Sequence, residues 1–273
     1  MLKQRVLTAL VLLPLVMAAI FALPAPWFLV LLAAILLRGT WEYSCLAGLS
    51  GQTARYSLVL LQAVILAVLF SLRNDWDINI LVYMSISCAL WLLLFLRLFG
   101  YRPQAQANMT YRIVSSATAV VSITTGWFAL SWLHMQAEGS WLILLLLLIV
   151  WAADTGAYFA GKTFGKRKLA PQISPGKTRA GLFGGLIAAP LVALLAAYLM
   201  PMADVNYTWL VLLGFSAALV SVGGDLLISL HKRTSGFKDS GNLLPGHGGI
   251  LDRVDSLIAA APFFALGLLV AGF

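Results

Sequence analysis

Residues 229–255 read SLHKRTSGFKDSGNLLPGHGGILDRVD and form the one long polar passage of the sequence. The passage holds four basic residues, three carboxylates, two histidines and five glycines, and it connects two apolar runs. Most of the remaining chain is apolar, with Leu, Ala and Val dominating. This contrast predicts that the apolar runs hold the polar passage at a membrane surface.

The composition is that of an integral membrane protein. Of the 273 residues 61% are hydrophobic and 10% are charged, and the mean hydropathy is +0.93. Soluble domains carry about 25% charged residues. Apolar runs of roughly 17–25 residues recur, each long enough to cross about 30 Å of hydrocarbon as a helix. We therefore expect an all-α polytopic protein that forms one membrane domain over residues 1–273.

The apolar runs predict about nine transmembrane helices. They lie near residues 6–23, 27–43, 57–72, 78–96, 113–133, 141–161, 182–200, 208–230 and 254–273. The N-terminal spans occupy roughly residues 1–133, and residues 141–273, which include the polar passage, form the half that we expect to be the catalytic half.

The basic residues indicate how the chain is oriented. The formal net charge is +8, and with a cytoplasmic N-terminus seventeen of the eighteen Lys and Arg fall on the cytoplasmic side. This bias follows the positive-inside rule. It predicts a multi-pass membrane protein with a periplasmic C-terminus at Phe273, and we expect the membrane to be a bacterial inner membrane. It also explains the positive charge without a nucleic-acid partner.

Asp154 is an acid inside the sixth predicted span, about 12 Å below the following loop. A carboxylate at such a depth costs about 2.5–3.5 kcal/mol and therefore needs a partner or a function. Helical spacing places Asp154, Tyr158 and Lys162 on one face. An internal ion pair with a neighbouring helix is the alternative to a functional role.

Three further aspartates flank the polar passage. Asp225 lies in the eighth span with Ser229 and Lys232 on the same helical face, and Asp252 and Asp255 open the ninth span. Together these aspartates could supply oxygen ligands to Mg²⁺, which commonly binds one or two carboxylates plus substrate phosphates. For Asp252, simple capping of the ninth helix is the alternative.

Two cytoplasmic loops suit phosphate groups. One runs from Lys162 to Arg179 and the other from Lys232 to Arg253, although the positive-inside rule alone would explain the number of charges. Each contains glycines beside polar side chains, in SPGKT at 174–178 and PGHGG at 245–249, so that backbone N–H groups could approach an anion. The earlier glycine and the strand of a Walker A motif are missing from the first loop.

The motifs SLHKR (229–233), KDSG (238–241), LPGHGG (244–249) and DRVD (252–255) resemble the signature of phosphatidate cytidylyltransferases, also called CDP-diacylglycerol synthases. Asp154 with Gly156, Tyr158 and Gly161, followed by SPGKT, is similar to the same family. Trp41-Glu42 carries a weaker resemblance. The resemblance implies that CTP and phosphatidate react to CDP-diacylglycerol and pyrophosphate, with Mg²⁺ as cofactor, a second cation as an open question, and a homodimer.

The resemblance also implies roles for individual residues. Catalytic roles fall to Asp225, Lys232, Arg233, Lys238, Asp239, His247, Asp252 and Asp255. Substrate binding falls to Asp154, Lys162, Ser174, Lys177, Thr178, Ser229, Gly248, Gly249 and Arg253. Metal binding falls to Asp225, Asp252 and Asp255.

The sequence departs from the family pattern at two places. The family usually carries Glu where this chain has Ile228, and Trp followed by Glu or Gln where it has Arg179-Ala180. Loss of an acid beside the metal site would weaken the enzyme, so a paralogue acting on another lipid phosphate or nucleotide is the alternative. An ion-coupled transporter is less consistent with the almost wholly apolar outer halves of the spans.

Overall fold

A computed structural model describes residues 2–101, 108–200, 206–243, 246 and 248–272. Within these residues nine α-helices follow the predicted spans in order, and this confirms the all-α polytopic architecture. The helices are α1 Leu2–Ala22, α2 Ala25–Leu46, α3 Gln52–Ser71, α4 Ile80–Phe99, α5 Met109–Met135, α6 Gly139–Phe164, α7 Arg179–Leu199, α8 Tyr207–Thr234 and α9 Leu251–Ala271.

Eight of these helices, α2 to α9, are long and apolar enough to cross a membrane, and α1 contributes a shorter apolar segment, Leu10–Ala22. Large apolar side chains such as Leu60, Leu93 and Phe183 are more than half exposed on the outside of the bundle. Such an apolar surface is favourable in contact with lipid and unfavourable in contact with water. The chain is therefore a membrane protein.

The connections contain two short elements that the apolar pattern did not predict. A 3₁₀ helix, Arg73–Asn79, precedes α4. Strands β1 (Lys168–Ala170) and β2 (Ser174–Thr178) form an antiparallel hairpin between α6 and α7. The segment SPGKT forms β2 itself, whereas in a Walker A motif a strand precedes the phosphate loop. The hairpin is short and antiparallel, which differs from the parallel strand of a Walker A motif.

Small residues let the helices of the second half approach closely. Carbon atoms added at Gly184 and Gly185 of α7 would lie 2.6 and 2.7 Å from the carbonyl oxygens of Gly156 and Ala153 in α6. One at Gly224 of α8 would lie 2.7 Å from the carbonyl oxygen of Asp255 in α9. Because small residues permit backbone contact between membrane helices, these glycines bring α6 to α7 and α8 to α9.

One apolar cluster extends from Ile20 in α1 to Leu268 in α9, with Trp91, Trp127 and Phe264 among its largest side chains. The indole N–H groups of the two tryptophans donate to Thr125 Oγ1 and to the carbonyl of Leu29. The N-terminal spans and the catalytic half therefore share one interior. Its continuity is compatible with the single membrane domain that the sequence predicts.

The basic loops meet at one end of the bundle, which we call the basic end. There the Tyr111 hydroxyl at the start of α5 donates to the carbonyl of Leu46 at the end of α2, over 2.9 Å. The Ser235 hydroxyl, just after α8, donates to the same carbonyl. These bonds place the ends of α2 and α8 and the start of α5 side by side.

Candidate active site

Lys177 and Asp225 form the central ion pair of the basic end. Lys177 Nζ, near the end of β2, lies 2.8 Å from Asp225 Oδ2, and both side chains are half-buried. The Ser229 hydroxyl, one turn along α8, donates to Asp225 Oδ1 over 3.1 Å. The hairpin therefore delivers a lysine to an acid that α8 holds in place.

Asp255 is a second carboxylate beside this pair. Its side chain is 6% exposed, and it interacts electrostatically with Asp225. The close contact of α8 and α9 at Gly224 explains why these acids are neighbours. One Asp255 oxygen accepts the backbone N–H of Ser256 at 2.7 Å. Two carboxylates, one from α8 and one from α9, therefore lie in the same part of the site.

Asp252 opens α9 as predicted, but its carboxylate binds protein donors. Oδ1 accepts from Lys232 Nζ at 2.7 Å. Oδ2 accepts from the backbone N–H groups of Ser240 and Gly249 at 2.8 and 3.1 Å, and it lies 3.0 Å from the Ser240 hydroxyl. Asp252 thus fixes the loop before α9, which differs from the simple helix capping considered above.

A cavity of about 360 Å³ lies between α6, the hairpin, α7 and α8. This volume falls within the usual range for small-molecule sites, about 300–1,000 Å³. Its wall includes Asp154, Tyr158, Lys162, Lys168, Lys177 and Thr178. Asp154 interacts electrostatically with Lys177, Asp225 and Arg253, so the cavity adjoins the ion pair. The basic wall suits an anionic ligand.

Several residues that the resemblance assigned to catalysis or to substrate binding have protein partners in the structure. Arg233 donates from Nε to the carbonyl of Ile173 over 3.2 Å and from Nη1 to that of Phe237, and so it braces the hairpin. Thr178 Oγ1 accepts the N–H of Gly181 at 3.0 Å and caps α7. Lys162 is exposed and lies over the Tyr158 ring.

The other predicted residues lie at the rim of the site or outside the description. Lys238, Asp239 and Arg253 are exposed, and Ser174 is half-buried in β2. Gly248 has φ +82°, and a carbon atom added there would lie 2.7 Å from Asp252 Oδ2. His247, like Phe273, lies outside the described residues.

The donor set fits a magnesium ion that takes part of its coordination from the substrate. Asp225 and Asp255 offer two carboxylates, and Mg²⁺ usually binds one or two together with phosphate oxygens. In the part of the chain that the structure describes, no group of three His, Cys, Asp or Glu is arranged to hold a metal alone. The structure therefore does not assemble Asp225, Asp252 and Asp255 as one three-carboxylate ligand set.

Ile228 lies in an apolar environment. It is fully buried and packs in a cluster with Tyr43, Leu46, Ala119 and Leu251. The departure from the usual Glu therefore falls among apolar side chains, while Asp225, one turn earlier in α8, keeps its ion pair with Lys177. Arg179, at the other departure, is exposed and opens α7.

Glu42 is a functional candidate that the sequence reasoning named only as a weak resemblance. It is 2% exposed and accepts hydrogen bonds from Ser240, Ile250 and Leu251. The sequence feature that could have identified Glu42 is an acid inside an apolar run, four residues after Arg38. The predicted end of the second span at residue 43 placed Glu42 at a boundary, whereas α2 continues to Leu46.

His231 is a second residue to which the sequence reasoning assigned no role. It is fully buried, and its Nε2 accepts from Arg97 Nη1 at 2.9 Å, because a guanidinium can only donate. Its Nδ1 therefore carries the proton and donates to the carbonyl of Leu227 at 2.8 Å. The Tyr43 hydroxyl lies 3.1 Å from the same nitrogen. The histidine ties α2 and α4 to α8.

Comparison with known proteins agrees with these features. A family model described as "Cytidylyltransferase family" matches residues 3–271. A phosphatidate cytidylyltransferase of Haemophilus influenzae is 36% identical, with 97% of this chain and 98% of that protein covered. One of Pseudomonas aeruginosa is 40% identical, with 100% and 99% covered. One of Staphylococcus aureus is 47% identical over 136 residues, about half of each chain.

Proposed function

The chain belongs to the cytidylyltransferase family, and from this premise we propose that it transfers a cytidylyl group from CTP to phosphatidate. The products are CDP-diacylglycerol and pyrophosphate. The observation that carries the proposal is the Lys177–Asp225 pair beside Asp255, at the edge of a lysine-lined cavity. It combines cations for phosphates with carboxylates for a divalent cation.

The proposed reaction is an in-line displacement at the α-phosphorus of CTP. A phosphate oxygen of phosphatidate forms the new P–O bond, and the bond to pyrophosphate breaks with its electron pair on the leaving oxygen. Phosphomonoesters have a second pKa of about 6, so the attacking oxygen is mostly deprotonated at neutral pH. A strong general base is not required, and positioning with charge neutralisation carries the catalysis.

The described residues divide this work between them. Lys177, Lys162 and Lys168 face or border the cavity, where their charges offset those of the phosphates. Asp225 and Asp255 would hold Mg²⁺, which when bound would neutralise charge on the triphosphate. Ser229 orients Asp225 through its 3.1 Å hydrogen bond. Asp252 and Lys232 form an ion pair that holds the connection between α8 and α9 in position. We call its described residues, 235–243, 246 and 248–250, the polar loop.

We also propose where the enzyme lies in the cell and how it is oriented. The bacterial relatives support an inner-membrane protein, and the positive-inside bias supports a basic end that faces the cytoplasm, where CTP is available. Phosphatidate would reach the site from the bilayer, because its acyl chains stay among the apolar helices. A homodimer and a second cation remain proposals that rest on the family resemblance alone.

The test is an assay of purified protein in detergent with labelled CTP, dioleoyl phosphatidate and Mg²⁺. We expect release of pyrophosphate and formation of a labelled liponucleotide, loss of both on chelation, and recovery when Mg²⁺ is restored. Asp225→Asn serves as the inactive control. Wild-type protein that forms no more liponucleotide than this control would contradict the proposed function.

The paralogue alternative can be tested in the same assay. The alternative was suggested because Ile228 replaces the usual acid. In the structure, Ile228 packs with Tyr43, Leu46 and Leu251. We expect CTP with phosphatidate to give the highest kcat/KM among several nucleotides and lipid phosphates. A higher value for another pair would favour the paralogue.

A further inference from the structure

We propose that Glu42, in the N-terminal spans, is a positioning residue for the active site in the catalytic half. It fixes the polar loop and the start of α9, and through Ser240 it sets the Asp252–Lys232 pair. The kinetic part of this proposal rests on the proposed function, while its structural part rests on the geometry of the described residues alone.

The carboxylate of Glu42 caps a helix that lies more than 200 positions away in sequence. The first N–H groups of an α-helix have no partner within the helix. For α9 these include the N–H of Leu251, which donates to Glu42 Oε2 over 2.9 Å, while the preceding Ile250 donates to Oε1 over 3.2 Å. Ile250 has no side chain that could cap the helix. Glu42 therefore replaces a local capping residue.

Ser240 connects Glu42 to the charged residues of the site. Its hydroxyl donates to Glu42 Oε2 over 2.9 Å, and it also lies 3.0 Å from Asp252 Oδ2. Its backbone N–H donates to the same Asp252 oxygen over 2.8 Å. The other Asp252 oxygen binds Lys232, which is 8% exposed. A displacement of Glu42 would therefore reach Lys232 through two intervening residues.

The loop is built closely around this carboxylate. A carbon atom added at Gly241 would lie 2.7 Å from Glu42 Oε1. One added at Gly249 would collide with Glu42 Oε2 and with the Ser240 hydroxyl. The sequence suggested that PGHGG lets backbone groups approach a substrate anion. In the structure, Gly249 makes this approach to the carboxylates of Glu42 and Asp252.

The charge of Glu42 is compensated where it is buried. Arg38 Nη2 lies 3.4 Å from Glu42 Oε1, one turn earlier in α2. The N-terminus of α9 adds partial positive charge, which favours a carboxylate at this place. A buried carboxylate is costly without such partners. Glutamine at this position would keep the shape, but its N–H₂ group would face either Ile250 and Arg38 or Ser240 and Leu251, which are all donors.

The experiment compares wild type, Glu42→Gln and Ser240→Ala in the CTP and phosphatidate assay. We expect each variant to lower kcat by about 10- to 100-fold, as loss of residues that orient a catalytic group does. KM for CTP should change by less than about threefold, because no cavity-lining residue is altered. Should Glu42→Gln not fold, Ser240→Ala carries the same kinetic test.

A double-mutant cycle separates positioning from general loss of stability. If Glu42 acts through Ser240, kcat of the variant with both substitutions should lie within about twofold of kcat of the slower single variant. Asn206→Ala is the matched control, because Asn206 caps α8 at the opposite end of the bundle by accepting the Trp209 N–H at 3.1 Å. It should lower the melting temperature with little change in kcat.

Hydrogen exchange provides a readout that does not depend on activity. In Glu42→Gln, amides of the peptide around Ile250 and Leu251 should exchange faster, whereas Asn206→Ala should leave them unchanged. Unchanged exchange in Glu42→Gln, kcat within twofold of wild type, or fully multiplicative effects in the cycle would overturn the proposal. An inactive wild type would instead contradict the proposed function, and the exchange result would still decide the structural part.

Discussion

At the scale of single residues, Lys177 is the cation that connects the ion pair with the cavity. It lies 2.8 Å from Asp225 and lines the cavity. It also interacts electrostatically with Asp154 and Asp255. Three carboxylates therefore share this cation, and Lys232 or Arg253 adds to its effect on each of them. Removal of Lys177 would weaken the compensation of their charge and would remove a phosphate partner.

We therefore predict that Lys177→Met lowers kcat/KM for CTP by about 10²–10³-fold, the usual effect of losing one charge-stabilising group. Measurement is by initial rates of pyrophosphate release. Lys166→Met is the matched control, because Lys166 is exposed in the same connection and does not line the cavity. Near-equal rates for the two variants would show that the ion pair is not part of the active site.

Gly249 provides a second prediction at this scale. Since an added methyl group would collide with Glu42 and Ser240, Gly249→Ala should lower stability by about 1–3 kcal/mol. It should also slow turnover. Gly51→Ala is the control, because a carbon atom there would have no neighbour within 4 Å. Thermal unfolding in detergent and kcat measure the two effects, and wild-type behaviour of Gly249→Ala would contradict the close packing.

At the scale of elements, the β1–β2 hairpin decides where Lys177 lies. Ile173 is 5% exposed and packs against Leu226 and Leu230 of α8. Arg233 holds the carbonyl of Ile173 from the end of the same helix. The hairpin is thus attached to α8 by one apolar and one polar contact.

Arg233 could either brace the hairpin or bind phosphate, and the two roles predict different results. A residue that braces the hairpin should tolerate Arg233→Lys only partly, with KM for CTP raised about tenfold and faster proteolysis at the exposed hairpin turn, residues 171–172. A residue that binds only phosphate should leave proteolysis unchanged. Arg167→Lys, an exposed arginine beside β1, is the control. Limited proteolysis and steady-state kinetics distinguish the roles.

The contact between α6 and α7 supports a further prediction at the same scale. Gly184 approaches the backbone of Gly156, two residues after Asp154. Gly184→Leu should force the helices apart, move β2 and its Lys177 from Asp225, and abolish activity. Phe183→Leu, at a neighbouring exposed position, should retain activity. Retained activity in Gly184→Leu would show that the close contact is not needed.

At the scale of the whole molecule, all described site residues lie at the basic end of the helix bundle. A periplasm-active reporter fused after Phe273 should be active, and one inserted after Gln172 should be inactive, because the positive-inside bias places the hairpin in the cytoplasm. Activity measured in intact cells reports the side of each fusion. The opposite pattern would invert the proposed orientation and would remove the site from the CTP-containing compartment.

The sequence by itself determined the order of the helices and, in the part of the chain that the structure describes, their number. Crossing the hydrocarbon requires about 20 apolar residues, and hydrogen bonds within each helix satisfy its backbone, so these features are local. The same reasoning singled out Asp154 and Asp225, because acids inside apolar runs need partners. The structure gives Asp225 such a partner in Lys177. The family resemblance added the reaction, which apolar patterns alone do not specify.

Only the tertiary structure decided which partner each charge takes. It paired Asp252 with Lys232 and Ser240, buried Ile228 among apolar side chains, and brought Glu42 to the start of α9. It also formed the hairpin that carries Lys177. The energy of a buried carboxylate depends on which donors lie within about 3 Å. That distance is set by the packing of helices that are far apart in the sequence, and so no local sequence pattern predicts it.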